Sequence, residues 1–389
     1  MIPYGRQSIN QADIEAVVAV LRSDFLTQGP AVPAFEAALL QETGARFAVA
    51  VNSATSALHL ACMALGVGPG SRVWTSPNTF AASANCALYC GAAVDFVEVD
   101  ARTYNLCPDR LAEKLASAER EGRLPSVVIV VHFSGQPCAM ARIWELGKRY
   151  GFRIIEDASH AIGAVYAGEP VGKGTFSDIT IFSFHPVKIV TTAEGGAALT
   201  NDPALAERLR MLRTHGITRE PALMSGPVDG PWYYEQVALG YNYRLTDLQA
   251  ALGAAQLGRL AEFVARRRHL AARYDRLLAE FPLVRPWQSD EGISAWHLYV
   301  VRVAAGGAPE RLRLFQALRA AGIGPQVHYI PVYWHPWYRG HGFARGYCPV
   351  AEAYYNTAVS LPLYFGLTEE QQDQVVQALR EAFIGGRTK

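Results

Sequence analysis

The stretch ITIFSFHPVK, residues 179–188, decides the prediction of the fold. Its first part, Ile179–Phe184, is mostly apolar and predicts a buried strand, and the polar segment after it carries Lys188. Earlier in the chain, Arg153–Asp157 predicts a second strand, which ends on a carboxylate. The carboxyl ends of neighbouring strands in an open α/β sheet line one crevice. The sequence therefore predicts a lysine and a carboxylate that face each other at one edge of a sheet.

Outward from this stretch, apolar strand patterns alternate with helical patterns, which predicts an α/β fold with a mostly parallel central sheet and helices on both faces. The predicted strands are Phe47–Val51, Arg72–Thr75, Val94–Val97, Val127–Val131, Arg153–Asp157, Ile179–Phe184 and Gly195–Leu199. The predicted helices between them are Ala57–Leu65, Ala81–Cys90, Asp109–Glu121 and Met140–Tyr150.

The two ends of the chain have other patterns, which predict three regions: an N-terminal arm and helix over residues 1–30, a large α/β domain over 31–245, and a smaller α+β domain over 246–389. One long helical tract over Leu245–Leu278 is expected to connect the last two. The small domain is predicted to contain strands at Trp296–Val303 and Gln326–Ile330 and helices at Pro309–Ala320 and Thr368–Phe383.

The composition excludes several classes of function. Of the 389 residues, 18 % are charged and the formal net charge is +1, so nothing favours binding to nucleic acid or to an anionic membrane surface. No apolar run approaches the ~20 residues of a membrane span, and the N-terminus lacks the features of a signal peptide. The six cysteines form no Cys-x-x-Cys pair, so no metal site is predicted and a reducing, cytoplasmic location is expected.

A lysine and a carboxylate in one crevice are typical of a site for pyridoxal phosphate (PLP), which needs an amine to bond its aldehyde and an acid against its pyridine nitrogen. The segment Asn52–Ser56, between a strand and a helix, is a candidate cup for the phosphate, although a simple helix cap is the competing interpretation. Asp157 and His160 could instead be a cap and an ordinary buried or surface histidine. Phe80 could stack on the cofactor ring or pack in the core.

Two further segments are candidates for substrate contacts. Val327–Tyr338 is dense in aromatic residues and histidine, which suits stacking on a sugar or base, although a cluster at an interface or in a loop is the alternative. Asn242 precedes the long helical tract, for which Thr246 or Asp247 is the expected N-cap; from its pattern alone, Asn242 is a turn residue.

Taken together, these motifs resemble the DegT/DnrJ/EryC1/StrS family of sugar aminotransferases, which are fold-type I PLP-dependent enzymes. The resemblance covers nearly the whole chain and lies in Leu26–Gly29, Asn52–Ser56, Glu156–His160, Ser183–Lys188, Glu194–Gly196 and Asn242–Arg244.

The resemblance implies a role for each candidate residue. Lys188 would be the catalytic residue and would bind PLP covalently, Asp157 would pair with the pyridine nitrogen, and His160 would neighbour the ring hydroxyl. The other cofactor contacts would be Ala54, Thr55 and Ser183 at the phosphate, Phe80 on the ring, and Asn242 from a partner subunit. The nucleotide sugar would contact Tyr4, Leu26, Thr27, Asn242, His328, Tyr329, Ile330 and Pro331. Sites shared in this way imply a homodimer.

Within the family, the segments Ser183–Gly196 and Val327–Pro331 are most similar to those of enzymes in pseudaminic acid biosynthesis. This similarity implies transfer of the amino group of L-glutamate to C4 of a UDP-linked sugar, UDP-2-acetamido-2,6-dideoxy-β-L-arabino-hex-4-ulose. Three alternatives stay open: an aminotransferase for another nucleotide-linked keto sugar, a PLP-dependent sugar dehydratase, in which a histidine replaces the lysine, and a PLP-fold sensor without turnover.

Overall fold

The computed structural model describes residues 1–385. Its α-helices are α1 Gln11–Leu21, α2 Ala31–Thr43, α3 Ala54–Ala64, α4 Ala82–Tyr89, α5 Pro108–Arg120, α6 Met140–Tyr150, α7 Pro203–Arg213, α8 Asp247–Leu257, α9 Leu260–Leu277, α10 Gly307–Ala320, α11 Pro336–Arg339, α12 Pro349–Tyr355 and α13 Glu369–Gly385. Short 3-10 helices lie at Phe133–Gly135, Pro221–Leu223 and Val332–Trp334.

The strands that form the large central sheet are β2 Phe47–Val51, β3 Arg72–Thr75, β4 Ala93–Phe96, β5 Val127–Val131, β6 Arg153–Asp157, β9 Ile179–Ser183 and β10 Gly196–Thr200. The remaining strands are β1 Ile2–Pro3, β7 Val165–Tyr166, β8 Glu169–Pro170, β11 Ile217–Thr218, β12 Glu235–Gln236, β13 Leu283–Val284, β14 Gly292–Ile293, β15 Tyr299–Val303, β16 Ile323–Gly324 and β17 Ala358–Leu361.

The central sheet has seven strands in the order β2-β10-β9-β6-β5-β3-β4. The pairs from β9 to β4 are all parallel, whereas β10 is antiparallel to both of its neighbours. β5 and β9 are buried along their whole length, which is why β5 appears in the sequence as a continuous apolar run and β9 as a mostly apolar one. The predicted α/β fold class with a mostly parallel sheet and many helices is confirmed.

A second hydrophobic core lies in the C-terminal part of the chain. The antiparallel sheet β13-β15-β17 packs with α9, α10 and α13 around Tyr274, Tyr299 and Leu314. The N-terminal arm joins this core, because Ile2 in β1 pairs with Ile323 in β16. The N-terminal arm therefore packs with the C-terminal part of the chain.

Two predictions in this region are wrong. The expected single helix over 245–278 is two helices, α8 and α9, with the break at Gly258 and Arg259. Glycine is a poor helix former, which favours a break at Gly258. At the break, the Arg259 side chain forms an ion pair with the buried carboxylate of Asp13 in α1. The expected strand over 326–330 is absent apart from one bridge, between Gln326 and Ser360.

The start of α8 has the predicted cap. Thr246 accepts a hydrogen bond from the Gln249 amide at 3.3 Å and completes a capping box. The Asp247 carboxylate accepts hydrogen bonds from the amides of Gly29 and Ala31, so it ties the N-terminal segment to the first turn of α2.

Within residues 1–385, no helix combines the length and the apolar composition that a membrane span requires. The same residues contain no group of three side chains arranged to bind a metal ion.

Candidate active site

β5, β6 and β9 end next to one another at the carboxyl edge of the central sheet, where the sequence predicts the crevice. Asp157 is the last residue of β6 and Ser183 the last of β9. Lys188 follows on a tight turn, in which its amide donates to the carbonyl of His185 at 2.9 Å. Parallel strands that end in register thus bring residues from distant parts of the sequence to one edge.

The Asp157 carboxylate is buried and held in one orientation. Its Oδ2 accepts a hydrogen bond from Ser83 Oγ at 2.6 Å, and its Oδ1 accepts one from the Ser159 amide at 3.1 Å. Ser83, in α4, is itself positioned by Thr79, whose hydroxyl lies 2.8 Å away. A carboxylate fixed by donors from two elements can serve as a stationary partner for a protonated ring nitrogen.

Lys188 has the electrostatic character of a nucleophilic amine. The side chain is half-buried, and removal of water around its ammonium group lowers the pKa of Lys188 to about 8, although the charge of Asp157 opposes this shift. The neutral amine is therefore much more abundant near neutral pH than on an exposed lysine, and only the neutral amine attacks an aldehyde.

The predicted phosphate cup lies at the N-terminus of α3. This helix begins at Ala54, three residues before the predicted start, with Ser53 as its N-cap. The amides of Ala54 and Thr55, the first two of the helix, have no acceptor within it, so they are free to bind an anion at the positive end of the helix dipole.

Gly196 in β10 allows the cup to form. It pairs with Ser183 in the sheet, and a Cβ atom at this position would lie 2.5 Å from the amide nitrogen of Ala54. A side chain there would push the first turn of α3 away from the end of β9. The glycine therefore permits the close approach of the three segments that would surround the phosphate.

His160 is buried beside the lysine and in contact with the C-terminal part of the chain. Its Nε2 lies 3.2 Å from the hydroxyl of Tyr329, and its ring lies 4.3 Å from that of His297 between centroids. Burial, together with the nearby charge of Lys188, holds the pKa of His160 well below its usual value, so the ring is neutral. Its Nδ1 is buried and has no hydrogen-bond partner in the described chain.

The segment His328–Pro331 faces this edge as irregular backbone rather than as the predicted strand. His328 Nδ1 lies 2.7 Å from the Ser360 hydroxyl, and the Tyr329 amide donates to Asn78 Oδ1 at 3.3 Å. Burial lowers the pKa of His328 to about 3, so this histidine is also neutral. The ring of Tyr4, from the N-terminal arm, lies 5.2 Å from that of His328 between centroids. The structure thus brings Tyr4, His328 and Tyr329 together from both ends of the chain.

Four other candidates are not joined to these residues in the single chain. Phe80 is 64 % exposed on the loop after β3, and Leu26 is 49 % exposed. Thr27 pairs with Thr246 at the start of α8, and Asn242 pairs with Thr214 beyond α7. The resemblance assigns Asn242 to a partner subunit, so its role stays a prediction, as do those of the other three.

The aromatic residues after Pro331 pack mainly against one another. Tyr333 and Tyr338 are buried around the ring of Phe96, and the Tyr333 hydroxyl donates to Glu352 Oε1 at 2.6 Å. Their polar atoms have partners within the chain, so the expectation that these rings contact a sugar does not hold for Tyr333 and Tyr338.

The sequence did not single out Ser83 or His297. Ser83 follows Thr79 by four residues shortly after a predicted strand, a spacing that could have pointed to a pair of hydroxyls near the strand edge. His297 gave no signal, because only the packing of the C-terminal region on the large sheet brings it against His160.

The arrangement fits PLP. The free amides of Ala54 and Thr55 suit the phosphate, and the fixed carboxylate of Asp157 suits the pyridine nitrogen. The unpartnered Nδ1 of His160 leaves a buried polar atom for a ring substituent, and such atoms are rarely left without a partner. Lys188 supplies the amine for the aldehyde.

Comparison with known proteins agrees with this geometry. A model of the DegT/DnrJ/EryC1/StrS aminotransferase family matches residues 7–380. The chain belongs to this family. The family uses PLP, so the predicted cofactor is confirmed, and the family supports the activity of a sugar aminotransferase.

Two curated relatives match over most of their length. The chain is 38 % identical over 388 residues to the spore coat polysaccharide biosynthesis protein SpsC of Bacillus subtilis, covering 99 % of this chain and 97 % of SpsC. It is 39 % identical over 340 residues to the UDP-4-amino-4,6-dideoxy-N-acetyl-β-L-altrosamine transaminase of Campylobacter jejuni, covering 87 % of this chain and 86 % of that enzyme.

Solved structures have the same fold. Helicobacter pylori PseC, an aminotransferase involved in the biosynthesis of pseudaminic acid, matches with a TM-score of 0.89 at 29 % identity, over 99 % of both chains. Spr1654 from Streptococcus pneumoniae in its PLP form matches with a TM-score of 0.88 at 30 % identity, also over 99 % of both chains.

Proposed function

We propose that this protein transfers the amino group of L-glutamate to C4 of UDP-2-acetamido-2,6-dideoxy-β-L-arabino-hex-4-ulose, a step of pseudaminic acid biosynthesis, and that it works as a cytoplasmic homodimer. The observation that carries the proposal is Lys188, whose pKa is lowered to about 8, beside a fixed Asp157 and opposite the segment His328–Pro331. The similarity to the C. jejuni transaminase and to PseC supports this choice of sugar.

PLP, when bound, would carry the amino group and withdraw electrons from the carbon that exchanges its proton. Lys188 would serve that carbon as the proton donor and acceptor. With a pKa of about 8, it can give and take a proton near neutral pH without a large free-energy cost in either direction.

Asp157 and His160 set the charge around the ring. The carboxylate stays in place through its bonds to Ser83 and Ser159, so it would favour a protonated pyridine nitrogen. His160 is held neutral, so it would meet the ring hydroxyl as a hydrogen-bond partner without adding a positive charge. The Tyr329 hydroxyl fixes the orientation of that imidazole.

Recognition of the sugar would fall to Tyr4 and His328–Pro331. His328 is neutral and its Nδ1 is occupied by Ser360, so only Nε2 is free to meet a hydroxyl or carbonyl of the sugar. The partly exposed Ile330 adds an apolar surface beside it, which suits a 6-deoxy sugar better than one with a hydroxyl at C6.

A second candidate is an aminotransferase for another nucleotide-linked keto sugar. The match to SpsC, a spore coat polysaccharide biosynthesis protein, has 38 % identity against 39 % for the C. jejuni enzyme, and it covers more of this chain, 99 % against 87 %. The dehydratase alternative is disfavoured, because it requires a histidine where this chain has Lys188.

The test is the visible absorption of the purified, PLP-loaded protein before and after L-glutamate is added without sugar. We expect a yellow band that fades with glutamate and returns with the UDP-linked 4-keto sugar. Return of the band only with a different keto sugar would favour the second candidate. A band that glutamate leaves unchanged would contradict the amino donor, and a protein that takes up no PLP would favour the sensor.

A further inference from the structure

A second cavity lies behind the candidate active site, between the loop after β4 and the sheet β13-β15-β17. The empty space between its walls, open solvent included, is about 360 Å³. It is lined by Arg102, Thr103, Tyr104, Phe133, Ser134, Gln136, Val284, Arg285, Pro286, Trp287, Gln288, Val300 and Arg302. None of these residues is assigned to PLP or to the sugar, so the cavity is distinct from the site described above.

Three guanidinium groups line this cavity without a neutralising partner. Arg302, in β15, is half-buried, and Arg102 and Arg285 are exposed. Among residues 1–385, none of the three forms an ion pair, whereas Arg153, Arg213, Arg273 and Arg313 do. Three positive charges around one small volume repel one another, and a bound anion would relieve this repulsion.

Two buried polar atoms on lining residues also lack partners. Arg302 Nε and Ser134 Oγ have no hydrogen-bond partner within the described chain. Gln136 accepts a hydrogen bond at Oε1 from the Ser289 amide, so its own amide nitrogen remains as a further donor. Unpartnered buried donors are rare in folded proteins, and here they occur together with the unpaired arginines.

Stacking on aromatic rings explains only part of this arrangement. The guanidinium carbon of Arg102 lies 4.3 Å from the ring centroid of Trp287, and that of Arg302 lies 5.1 Å from that of Tyr104. Such contacts use the faces of the guanidinium groups and leave the N–H edges free. The rings therefore hold two of the guanidinium groups in place without satisfying their donors.

Two carboxylates close to these arginines, those of Asp100 and Asp275, have other hydrogen-bond partners. Asp100 Oδ1 accepts hydrogen bonds from the amides of Arg102 and Thr103, within its own turn. Asp275 accepts the hydroxyl of Tyr299, and Arg285 donates to the main-chain carbonyl of Asp275 rather than to its carboxylate. The N–H edges of Arg102 and Arg302 thus have no carboxylate partner.

We propose that this cavity, with Arg102, Arg285, Arg302, Ser134 and Gln136, binds a phosphoryl dianion, either free phosphate or a phosphate monoester. Guanidinium groups in a fixed plane match the oxygen pairs of such an ion, and a hydroxyl and an amide add two uncharged donors. The proposal does not depend on the sugar substrate or on turnover.

The anion site would share a wall with the active site. The Ser134 carbonyl accepts a hydrogen bond from the His297 amide at 2.9 Å, and the ring of Phe133 lies 6.3 Å from that of His160 between centroids. One turn, Phe133–Gly135, thus lies between the arginines and the histidines that neighbour Lys188.

The experiment is calorimetric titration of the PLP-loaded protein with inorganic phosphate and, separately, with glycerol 3-phosphate at constant ionic strength. The loaded form is used so that PLP occupies the cup at Ala54. We expect saturable binding, weakened about tenfold or more in Arg302→Met and in Arg102→Ala, because each change removes a charged donor. Arg319→Ala, an exposed arginine of α10, is the matched control and should bind as the unaltered protein does.

The two ligands distinguish the sources of the phosphoryl group. Tighter binding of inorganic phosphate would identify free phosphate as the ligand, and tighter binding of glycerol 3-phosphate would identify a phosphate monoester. Arg102 is exposed, so its substitution tests the site even where Arg302→Met lowers stability. The proposal is overturned where no saturable binding occurs, where Arg102→Ala and Arg302→Met bind phosphate as tightly as the control, or where succinate binds more tightly than both phosphoryl ligands.

Discussion

Two sides of the active site are built in different ways. The proposed cofactor floor, which we define as Ala54, Thr55, Asp157, Ser183 and Lys188, comes from the first turn of α3, the ends of β6 and β9, and the turn after β9. The proposed sugar wall, defined as Tyr4 with His328–Pro331, comes from the N-terminal arm and the C-terminal region and has irregular backbone. A regular sheet edge can position cofactor groups for both half-reactions. A wall of irregular segments can vary with the sugar without disturbing that edge.

The largest expected effect is at the centre of the floor. Lys188→Ala should abolish the absorption band of lysine-bound PLP and reduce both half-reactions by on the order of 1,000-fold or more, because the proton-transfer group is lost. Absorption spectra and single-turnover rates with glutamate measure this. Lys148→Ala, at an exposed position of α6, is the control. Retention of the band in Lys188→Ala would contradict the assignment of the lysine.

Substitutions of the two adjacent carboxylates of β6, Asp157 and Glu156, should affect different properties, one the activity and the other the stability. Asp157→Asn removes the charge opposite the ring and should lower both half-reactions on the order of 100-fold. Glu156 lies on the opposite face of the strand, where it accepts hydrogen bonds from Ser177 and Thr180 and lies 2.7 Å from His132. Glu156→Gln should reduce the free energy of unfolding by about 1–3 kcal/mol and leave turnover of the folded protein unchanged.

The same pair predicts a dependence of stability on pH. Burial raises the pKa of Glu156, but hydrogen bonds from His132 and two hydroxyls outweigh it and lower the pKa below its usual value. The folded state therefore favours the ionised form, and this stabilisation is lost as the pH falls through the folded pKa. Between neutral and acid pH, the thermal unfolding temperature should fall less in Glu156→Gln than in the unaltered protein. An equal loss in both would contradict this role.

The phosphate cup should be sensitive to one methyl group. Gly196→Ala places a Cβ 2.5 Å from the Ala54 amide nitrogen, so the helix start must shift. Overpacking that costs about 1–3 kcal/mol would weaken PLP binding roughly 5- to 150-fold. Titration of the apoprotein with PLP measures this change in affinity. Gly68→Ala, where a Cβ would meet nothing within 4 Å, should bind PLP normally. Equal affinities for PLP in the two variants would contradict the role of Gly196 at the phosphate cup.

Capture of PLP should follow the protonation of Lys188. The attacking amine must be neutral, and its pKa is lowered to about 8, so the capture rate should rise with pH to a midpoint near 8. Asp157→Asn removes a charge that raises this pKa, so the midpoint should move to lower pH. Absorbance after rapid mixing of apoprotein and PLP reports the rate. A midpoint above pH 10 would show that the lysine is not desolvated.

The smallest effect is expected at the wall, and it should separate the half-reactions. His328→Asn keeps a polar group near Ser360 but removes Nε2, so the KM for the keto sugar should rise about two- to tenfold while the glutamate half-reaction stays unchanged. His341→Asn, an exposed histidine in the same part of the chain, is the control. An equal decrease in the rates of both half-reactions would indicate that His328 acts on the cofactor rather than on the sugar.

The sequence predicted the floor better than the wall, because the floor follows regular strands and a helix whose periods are visible in the sequence, whereas the wall has irregular backbone. A strand followed by a polar loop and a helix is a local pattern, and in a parallel sheet the loops after such strands meet at one edge. Lys188, Asp157 and the cup at Ala54 were therefore recognisable as candidates. The local pattern of 326–330 favoured a strand, but only one bridge forms, because the His328 side chain contacts the Ser360 hydroxyl and the Tyr329 amide donates to Asn78 Oδ1.

The sequence by itself determined the α/β class, the parallel sheet and the identity of the chemical groups, because strand and helix periods and residue types are local properties. Only the tertiary structure decided which groups act together: Ser83 with Asp157, His297 and Tyr329 with His160, and Tyr4 with His328. It also decided that the helical tract breaks at Gly258 and that arginines from three segments surround one cavity. Such contacts depend on how distant segments pack, and no local period in the chain encodes them.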